Sequence, residues 1–410
     1  MNAKIIVMLL FFISVAYSIC LNLYKRKSAL NPIPDSVKDV YDEETYKKWL
    51  AYHAEKARVD LISSCVAGVV NLLLLALNVF SAFASLFPAS PVMQTFAVVI
   101  LDLVVSEIVS VIFSYYDAMV IEEKYGFNKM TVGTFIKDTL VGFIVGALLA
   151  FAIAYLMLGL HTWLGNYIII LFAVVLFIIT MVITFFYPYL SRINNKFTPL
   201  EDGELREKLV ALLTSHGYSV REIQVMDASK RTTKLNAYFT GLGSSKTIVL
   251  YDNLVNAMST DEICAVFAHE LGHGINRDVT KQQILNIGNM LLMAVAVWLS
   301  ITLTDIHTAF GFEGINYGFA YVITAIFMGL IRPFSAMITN AYSRRCEYRA
   351  DAQAVIEGYG ESLIGALKKL ARENFSNLAP TRVSVVLEYS HPPLADRISA
   401  IEKKLSEKTK

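Results

Sequence analysis

The chain has 410 residues, 55% hydrophobic and 17% charged, with a mean hydropathy of +0.50, against roughly 45–50% apolar and about 25% charged in ordinary soluble domains. This excludes a disordered chain and argues against a soluble enzyme. Net charge is +1, from 36 basic and 35 acidic residues, so there is no basic excess of the kind that attracts nucleic acid. The four cysteines contain no Cys-x-x-Cys pair, and Cys20 and Cys65 lie inside apolar runs, so neither a disulfide framework nor a thiolate metal site is expected.

In chain order, apolar runs long enough to cross a bilayer, about 20 residues each, occur near residues 3–22, 61–87, 93–120, 137–160, 167–190, 284–305 and 316–341. The count is seven. The first run, with Lys4 ahead of an apolar core and Ala16-Tyr17-Ser18 as a loose cleavage site, is either a retained span or a signal peptide. The connection 23–59 carries Lys25, Arg26, Lys27, Lys38, Lys47, Lys48, Lys56 and Arg58, whereas 88–92, 161–166 and 306–315 contain no Lys or Arg. The positive-inside rule therefore places the first, third and fifth connections and the C-terminus in the cytoplasm, and seven spans put the N-terminus outside. Asp102, Glu107 and Asp117 in the third span are expensive in hydrocarbon and are expected to face a protein interior or a water-filled cavity. Whether they serve function or structure stays open.

Two polar segments remain. The domain expectation is 1–190 as a membrane part with five spans, 191–283 as the first part of a polar domain, 284–341 as spans six and seven, and 342–410 as the second part of that polar domain. Within 191–283, Leu205, Leu209, Leu212 and Leu213 predict an amphipathic helix. β-type patterning follows at Ile223, Val225, Asn236 to Thr240 and Thr247 to Tyr251, with Gly241-Leu242-Gly243-Ser244-Ser245 reading as a hairpin turn. Residues 342–410 look helical, with a break at Pro392-Pro393.

The sharpest motif is His269-Glu270-Leu271-Gly272-His273. Upstream, Ser259-Thr260-Asp261-Glu262 fits a capping box, and Ile263, Phe267 and Leu271 recur every four residues, which predicts a helix. At i and i+4 the two imidazoles stand one above the other, close enough to bind one tetrahedral zinc. A hydrolytic zinc needs a third protein ligand and an open position, and Glu347 in Ser343-Arg344-Arg345-Cys346-Glu347-Tyr348-Arg349-Ala350-Asp351 fits best. Asp351, on the same helix face as Glu347, is placed to take the free ring N–H of a ligand histidine. Cys264 and Cys346 read as small buried fillers. One zinc per chain polarises a scissile carbonyl and acidifies a water, and Glu270 takes the water's proton and delivers it to the leaving amine. His391, in the stiff turn Ser390-His391-Pro392-Pro393, is either an oxyanion donor or an ordinary surface histidine. Asn236 to Thr240 is either an edge strand that pairs with an extended peptide or an ordinary paired strand. Both ligand-bearing segments adjoin the cytoplasmic ends of spans six and seven, which predicts a metal at the cytoplasmic face and substrates with a membrane-embedded or lipid-bearing portion.

Taken together, these residues resemble the type I CAAX prenyl proteases, integral-membrane zinc metallopeptidases. Besides the zinc motif, the likeness includes Ile121-Glu122-Glu123-Lys124-Tyr125-Gly126-Phe127-Asn128-Lys129, Asn236-Ala237-Tyr238-Phe239, Ser343 to Asp351, and Ser390-His391-Pro392-Pro393-Leu394-Ala395-Asp396-Arg397. The resemblance implies a mainly α fold of seven membrane helices around a large chamber, closed on the cytoplasmic side by an α+β zincin domain of gluzincin type. It implies zinc on His269, His273 and Glu347, Glu270 as base, and Asp351 orienting a ligand histidine. Asn236, Ala237, Tyr238 and Phe239 would line the peptide, with His391 and Arg397 near the reacting carbonyl. The implied activity is endoproteolysis of a C-terminal Cys-a-a-X sequence after prenylation, in a lipid bilayer, with no nucleic-acid partner.

Short outer loops and a brief C-terminal tail suit a bacterial plasma membrane better than an endoplasmic reticulum membrane. If the source lacks prenylation, membrane-protein quality control is the alternative activity. A transporter or receptor with structural histidines is a further alternative, disfavoured because no paired, Gly/Pro-interrupted short spans occur.

Overall fold

The computed structural model describes residues 2–87, 90–190, 192, 195–240 and 245–408, leaving aside the side chains of 170, 184, 185, 187–190, 220, 221, 238–240, 245 and 246. The chain is mainly helical. Helices α1 (Ala3–Lys25), α2 (Glu43–Ala76), α3 (Val79–Ala84), α4 (Pro91–Tyr116), α5 (Val132–Leu164) and α6 (Ile168–Leu190) are followed by a mixed segment. That segment holds β1 (Phe197–Pro199), α7 (Glu204–Thr214), β2 (Ser219–Met226), β3 (Ala237–Thr240), β4 (Ser245–Tyr251), α8 (Asp252–Ala257) and α9 (Thr260–Ile275). Then come α10 (Asp278–Thr302), α11 (Thr304–Ala309), α12 (Tyr317–Ile356), α13 (Gly360–Glu373), α14 (Arg382–Glu388) and α15 (Leu394–Lys408).

Among the described residues six helices are long and apolar enough to cross a membrane: α1, α2, α4, α5, α10 and α12. The fifth expected span corresponds to the 23-residue helix α6, whose apolar stretch among the described residues is the shorter Leu171–Ile183. Large apolar side chains such as Ile112, Ile144, Leu148 and Phe334 are exposed, as expected of helices that meet lipid. One expectation is corrected. The second run is not one span over 61–87: α2 starts at Glu43, capped by Asp42, and stops at Ala76, because Asn78 takes a left-handed conformation that asparagine tolerates. Between the histidine motif and the sixth span the helix is interrupted. Arg277 is left-handed and α10 begins at Asp278.

The strands form a four-stranded sheet in the order β1-β2-β4-β3. β2 and β4 pair in parallel, whereas β3 runs antiparallel to β4, with Ala237 opposite Leu250 and Thr240 opposite Thr247. β3 is therefore an edge strand. The expected turn over residues 241–244 lies outside the described residues. Leu209, Leu212 and Leu213 of α7 pack with Ile248 of the sheet and with Ile263, Phe267 and Leu271 of α9 in the core of this domain, which also takes in Leu363 of α13 and Ile401 of α15. The 40-residue helix α12 is about 60 Å long, twice the hydrocarbon thickness. Its first half packs among membrane helices, and its second half enters the sheet domain through Ala354 and Val355. One continuous helix, with Pro333 inside it, thus joins the bilayer part to the site.

Candidate metal centre and the cavity above it

Helix α9 begins with the expected capping box: Ser259 Oγ accepts from Glu262 N at 3.3 Å, and Glu262 Oε2 accepts from Ser259 N at 2.8 Å. Three turns later the buried row ending at Leu271 turns His269 and His273 toward α12. The two helices touch at Gly272, where a Cβ would lie 2.7 Å from Ala350 Cα. Only glycine permits this approach, which brings Glu347 and Asp351 against the histidines.

His269 Nε2 lies 3.5 Å from Glu347 Oε2, and His273 Nε2 lies 3.4 Å from Glu347 Oε1. One donor atom from each of the three residues falls within 4.8 Å of the others. The opposite ring nitrogens are both tied down. His269 Nδ1 donates to Asp351 Oδ1 at 2.9 Å, and His273 Nδ1 donates to Asp278 Oδ2 at 3.1 Å. Each carboxylate thereby fixes a tautomer that leaves the Nε2 lone pair facing Glu347. Glu347 Oε2 is buried and makes no hydrogen bond among the described residues; it faces His269 Nε2 and the Arg397 guanidinium, the latter at 3.4 Å.

Electrostatics point the same way. Burial alone would lower the His273 pKa, but its hydrogen bond to Glu347, that residue's charge, and Asp278 and Glu270 beyond it raise the value to about 9. The pocket therefore favours positive charge, as a proton or as a metal ion that displaces one. Arg397 is buried; its guanidinium bonds both oxygens of Asp351, at 2.9 and 2.6 Å, and sits 3.4 Å from Glu347 Oε2.

His391 Nε2 lies 3.4 Å from Glu347 Oε1, and its side chain is 63% exposed. That exposure is to the cavity, so the surrounding protein still lowers its pKa, against the pull of Glu347 and helped by the charge of Arg397. Its turn is held from α12: Arg344 donates to Val385 O at 2.8 Å and Tyr389 O at 2.7 Å, and Asn340 to Leu387 O at 3.1 Å.

The cavity, about 1060 Å³, is lined by His269, Glu270, Glu347, His391 and Arg397, by Asn236 and Ala237, and by Trp49, Tyr52 and Lys56 of α2. Of the expected peptide-lining residues, Asn236 and Ala237 face it; Tyr238 and Phe239 lie on β3, with side chains outside the described residues. Cys264 and Cys346 are buried. Asp117 of the third span pairs with Lys56 at 2.9 Å, and Asp102 and Glu107 are half-buried.

Sequence reasoning missed Asp278, Arg349 and Arg344. Arg349 donates to Asp278 Oδ1 at 2.7 Å, so the His273 arm has its own carboxylate and guanidinium. An acidic residue five positions after His273 was visible, but its return to that histidine depends on the turn at Arg277, which no periodicity announces.

Residues 21–192 match a family model described as CAAX prenyl protease N-terminal, five membrane helices, and residues 199–405 match peptidase family M48. Similar proteins include CAAX prenyl protease 1 of Saccharomyces cerevisiae, 32% identical over 94% of this chain and 91% of that protein. The CAAX prenyl protease 1 homolog of Arabidopsis thaliana is 31% identical over 91% of each. Among solved structures, that of S. mikatae Ste24p superposes with a TM-score of 0.90, at 27% identity, covering 98% of this chain and 99% of that one.

Proposed function

Since this chain belongs to peptidase family M48, as a membrane-embedded metalloendopeptidase of the CAAX prenyl protease type, we propose that it binds one zinc ion on His269, His273 and Glu347. Its substrates on this reading are proteins prenylated at a C-terminal Cys-a-a-X sequence, cut just after the modified cysteine. The observation that carries the metal assignment is the convergence of donors: one ligand atom from each of His269, His273 and Glu347 lies within 4.8 Å of the others, a spacing that a zinc bound at about 2.0–2.1 Å can bridge. The substrate assignment is supported by a cavity whose wall is shared between catalytic residues and a membrane helix.

When bound, zinc would act as a Lewis acid and lower the pKa of a water. Glu270, next to His269 on α9 and open to the cavity, takes a proton and later gives it to the leaving amine. With its pKa lowered, His391 is neutral near pH 7. Ser390 Oγ lies 2.9 Å from its Nδ1, and a hydroxyl donating there leaves the ring proton on Nε2, facing the reacting carbonyl as an oxyanion donor. Arg397 holds Asp351 and Glu347 ionised. The edge of β3 accepts an extended peptide in register.

The orientation follows from charge. Lys25, Arg26, Lys56 and Arg58 line the cavity, which supports, by the positive-inside rule, a site on the cytoplasmic side.

The test is cleavage of matched farnesylated and unmodified peptides by purified protein, with and without a chelator. The expected result is chelator-sensitive cleavage that prefers the farnesylated peptide. Equal rates on both peptides would overturn the prenyl assignment in favour of a quality-control protease, and cleavage insensitive to chelation would overturn the metal.

A further inference from the structure

A second cluster of charged side chains adjoins the same cavity, whose wall includes Tyr52 and Lys56. After α4 the helix widens into a π turn, Asp117–Glu122, a distortion that often marks functional positions. It aims Glu122 at three donors. Tyr52 OH donates to Glu122 Oε1 at 2.5 Å and Lys56 Nζ at 2.8 Å, while Lys234 Nζ lies 3.2 Å from Oε2. The Lys234 ammonium also stands 5.1 Å from the Phe127 ring centroid and 3.4 Å from Tyr52 OH.

Lys234 is two residues before Asn236. Leu235 between them is buried and gripped by one side chain: Asn374 accepts from Leu235 N at 2.9 Å and donates to Leu235 O at 3.2 Å. The segment ahead is bracketed too. Lys129 N donates to Arg231 O at 3.0 Å and Thr233 N to Phe127 O at 3.2 Å, around a bridge between Asn128 and Thr232. The carbonyl of Glu122 accepts from Phe127 N and Asn128 N at 2.8 and 3.1 Å, which folds this loop back onto the π turn. The run Ile121–Lys129 thus clasps residues 231–234, and the chain released from that clasp is β3.

A four-residue edge strand paired on one side only has little to fix its register. We propose that Glu122 is a positioning residue for the peptide substrate: through its ion pair with Lys234 it sets where Asn236 and Ala237 stand in the cavity, and so sets KM. The inference rests on the reading that β3 lines the peptide. A membrane helix end would thereby control the substrate edge of the peptidase domain without touching the metal.

The experiment measures steady-state kinetics on a farnesylated peptide, together with metal content, for Glu122→Gln, Lys234→Met, the double variant and Asn236→Ala. In Glu122→Gln, Lys56 keeps Asp117 at 2.9 Å, so one ion pair of the cluster survives. Each single variant should raise KM about tenfold with kcat within about twofold, since small misplacements of a binding edge cost on this scale. Metal should stay at one per chain. The double variant should also show about tenfold, not about a hundredfold, because both changes cut one link. If Asn236→Ala raises KM and Glu122→Gln does not, the link is overturned while the role of β3 stands. Unchanged KM in both overturns the link and that role together. A fall in kcat tracking lost metal at constant KM would assign Glu122 to folding alone, against the proposal. Where Glu122→Gln protein does not accumulate, Lys234→Met reads the same link from its more exposed end.

Discussion

The two histidine arms of the proposed metal centre are built from the same parts but sealed differently. His269 leans on Asp351, whose side chain is 2% exposed, and Asp351 is bonded twice by Arg397 at 10% exposure. His273 leans on Asp278, 7% exposed, held by Arg349, which is 41% exposed. Each arm is a histidine, a carboxylate and a guanidinium in series, yet one is embedded between α9, α12 and α15 and the other opens toward solvent at the turn before α10. Buried, low-dielectric partners are held rigidly and are costly to leave unpaired, whereas exposed ones are screened and replaceable. The His269 arm should therefore act as the structural anchor and the His273 arm as the adjustable one.

The largest effects remove a member of the centre outright. His269→Ala should lose stoichiometric metal and all cleavage, measured by elemental analysis of the purified protein; undiminished metal would reject the ligand set. Glu270→Ala, by contrast, should retain one metal per chain while cleavage falls below detection, because all three donors remain and only the proton carrier is gone. A variant that cleaves as fast as the parent would remove Glu270 from the mechanism.

The next pair tests the asymmetry directly. Asp351→Ala leaves Arg397 buried without its carboxylate, which should cost about 3–5 kcal/mol of stability and weaken metal binding toward the upper end of the roughly 10–100-fold range for such supports. Asp278→Asn should fall at the lower end, about tenfold, with little change in thermal midpoint, since Arg349 can turn to water. Equal losses from the two would show that burial does not distinguish the arms.

How far this was legible beforehand follows the same division between local and tertiary order. The spacing of His269 and His273, the Ser259–Glu262 cap and the shared face of Glu347 and Asp351 are properties of single helices, and helical periodicity exposes them in the sequence. Asp278 and Arg344 work only across elements. The first needs Arg277 in a left-handed conformation, the second needs α14 docked against α12, and neither leaves a periodic trace. The break at Asn78 was hidden because Leu77 and Val79 continue an apolar run whatever the backbone does. The contact at Gly272 is an intermediate case: a glycine inside a helix invites a packing explanation, but which helix approaches it is settled only by the fold. The role of residues 121–129 likewise became readable only when they were seen against 231–234.

The smallest expected effect concerns pH, and it belongs to the adjustable arm. In metal-free protein the His273 pKa is raised to about 9, above its ordinary value of about 6.5. A raised histidine pKa means the folded state binds the proton more tightly than the unfolded chain. The resulting stabilisation is full below about pH 6.5 and is lost as pH rises through about 9. In the presence of chelator the thermal midpoint should therefore decline by about a few degrees between pH 6.5 and 9. His273→Ala should flatten that decline, because the titrating group is gone while Glu347, its pKa held at about 2, stays ionised throughout the window. With metal bound the decline should vanish, since the ion occupies the place of the proton. A slope that survives in His273→Ala would locate the titration elsewhere and leave the two arms electrostatically alike.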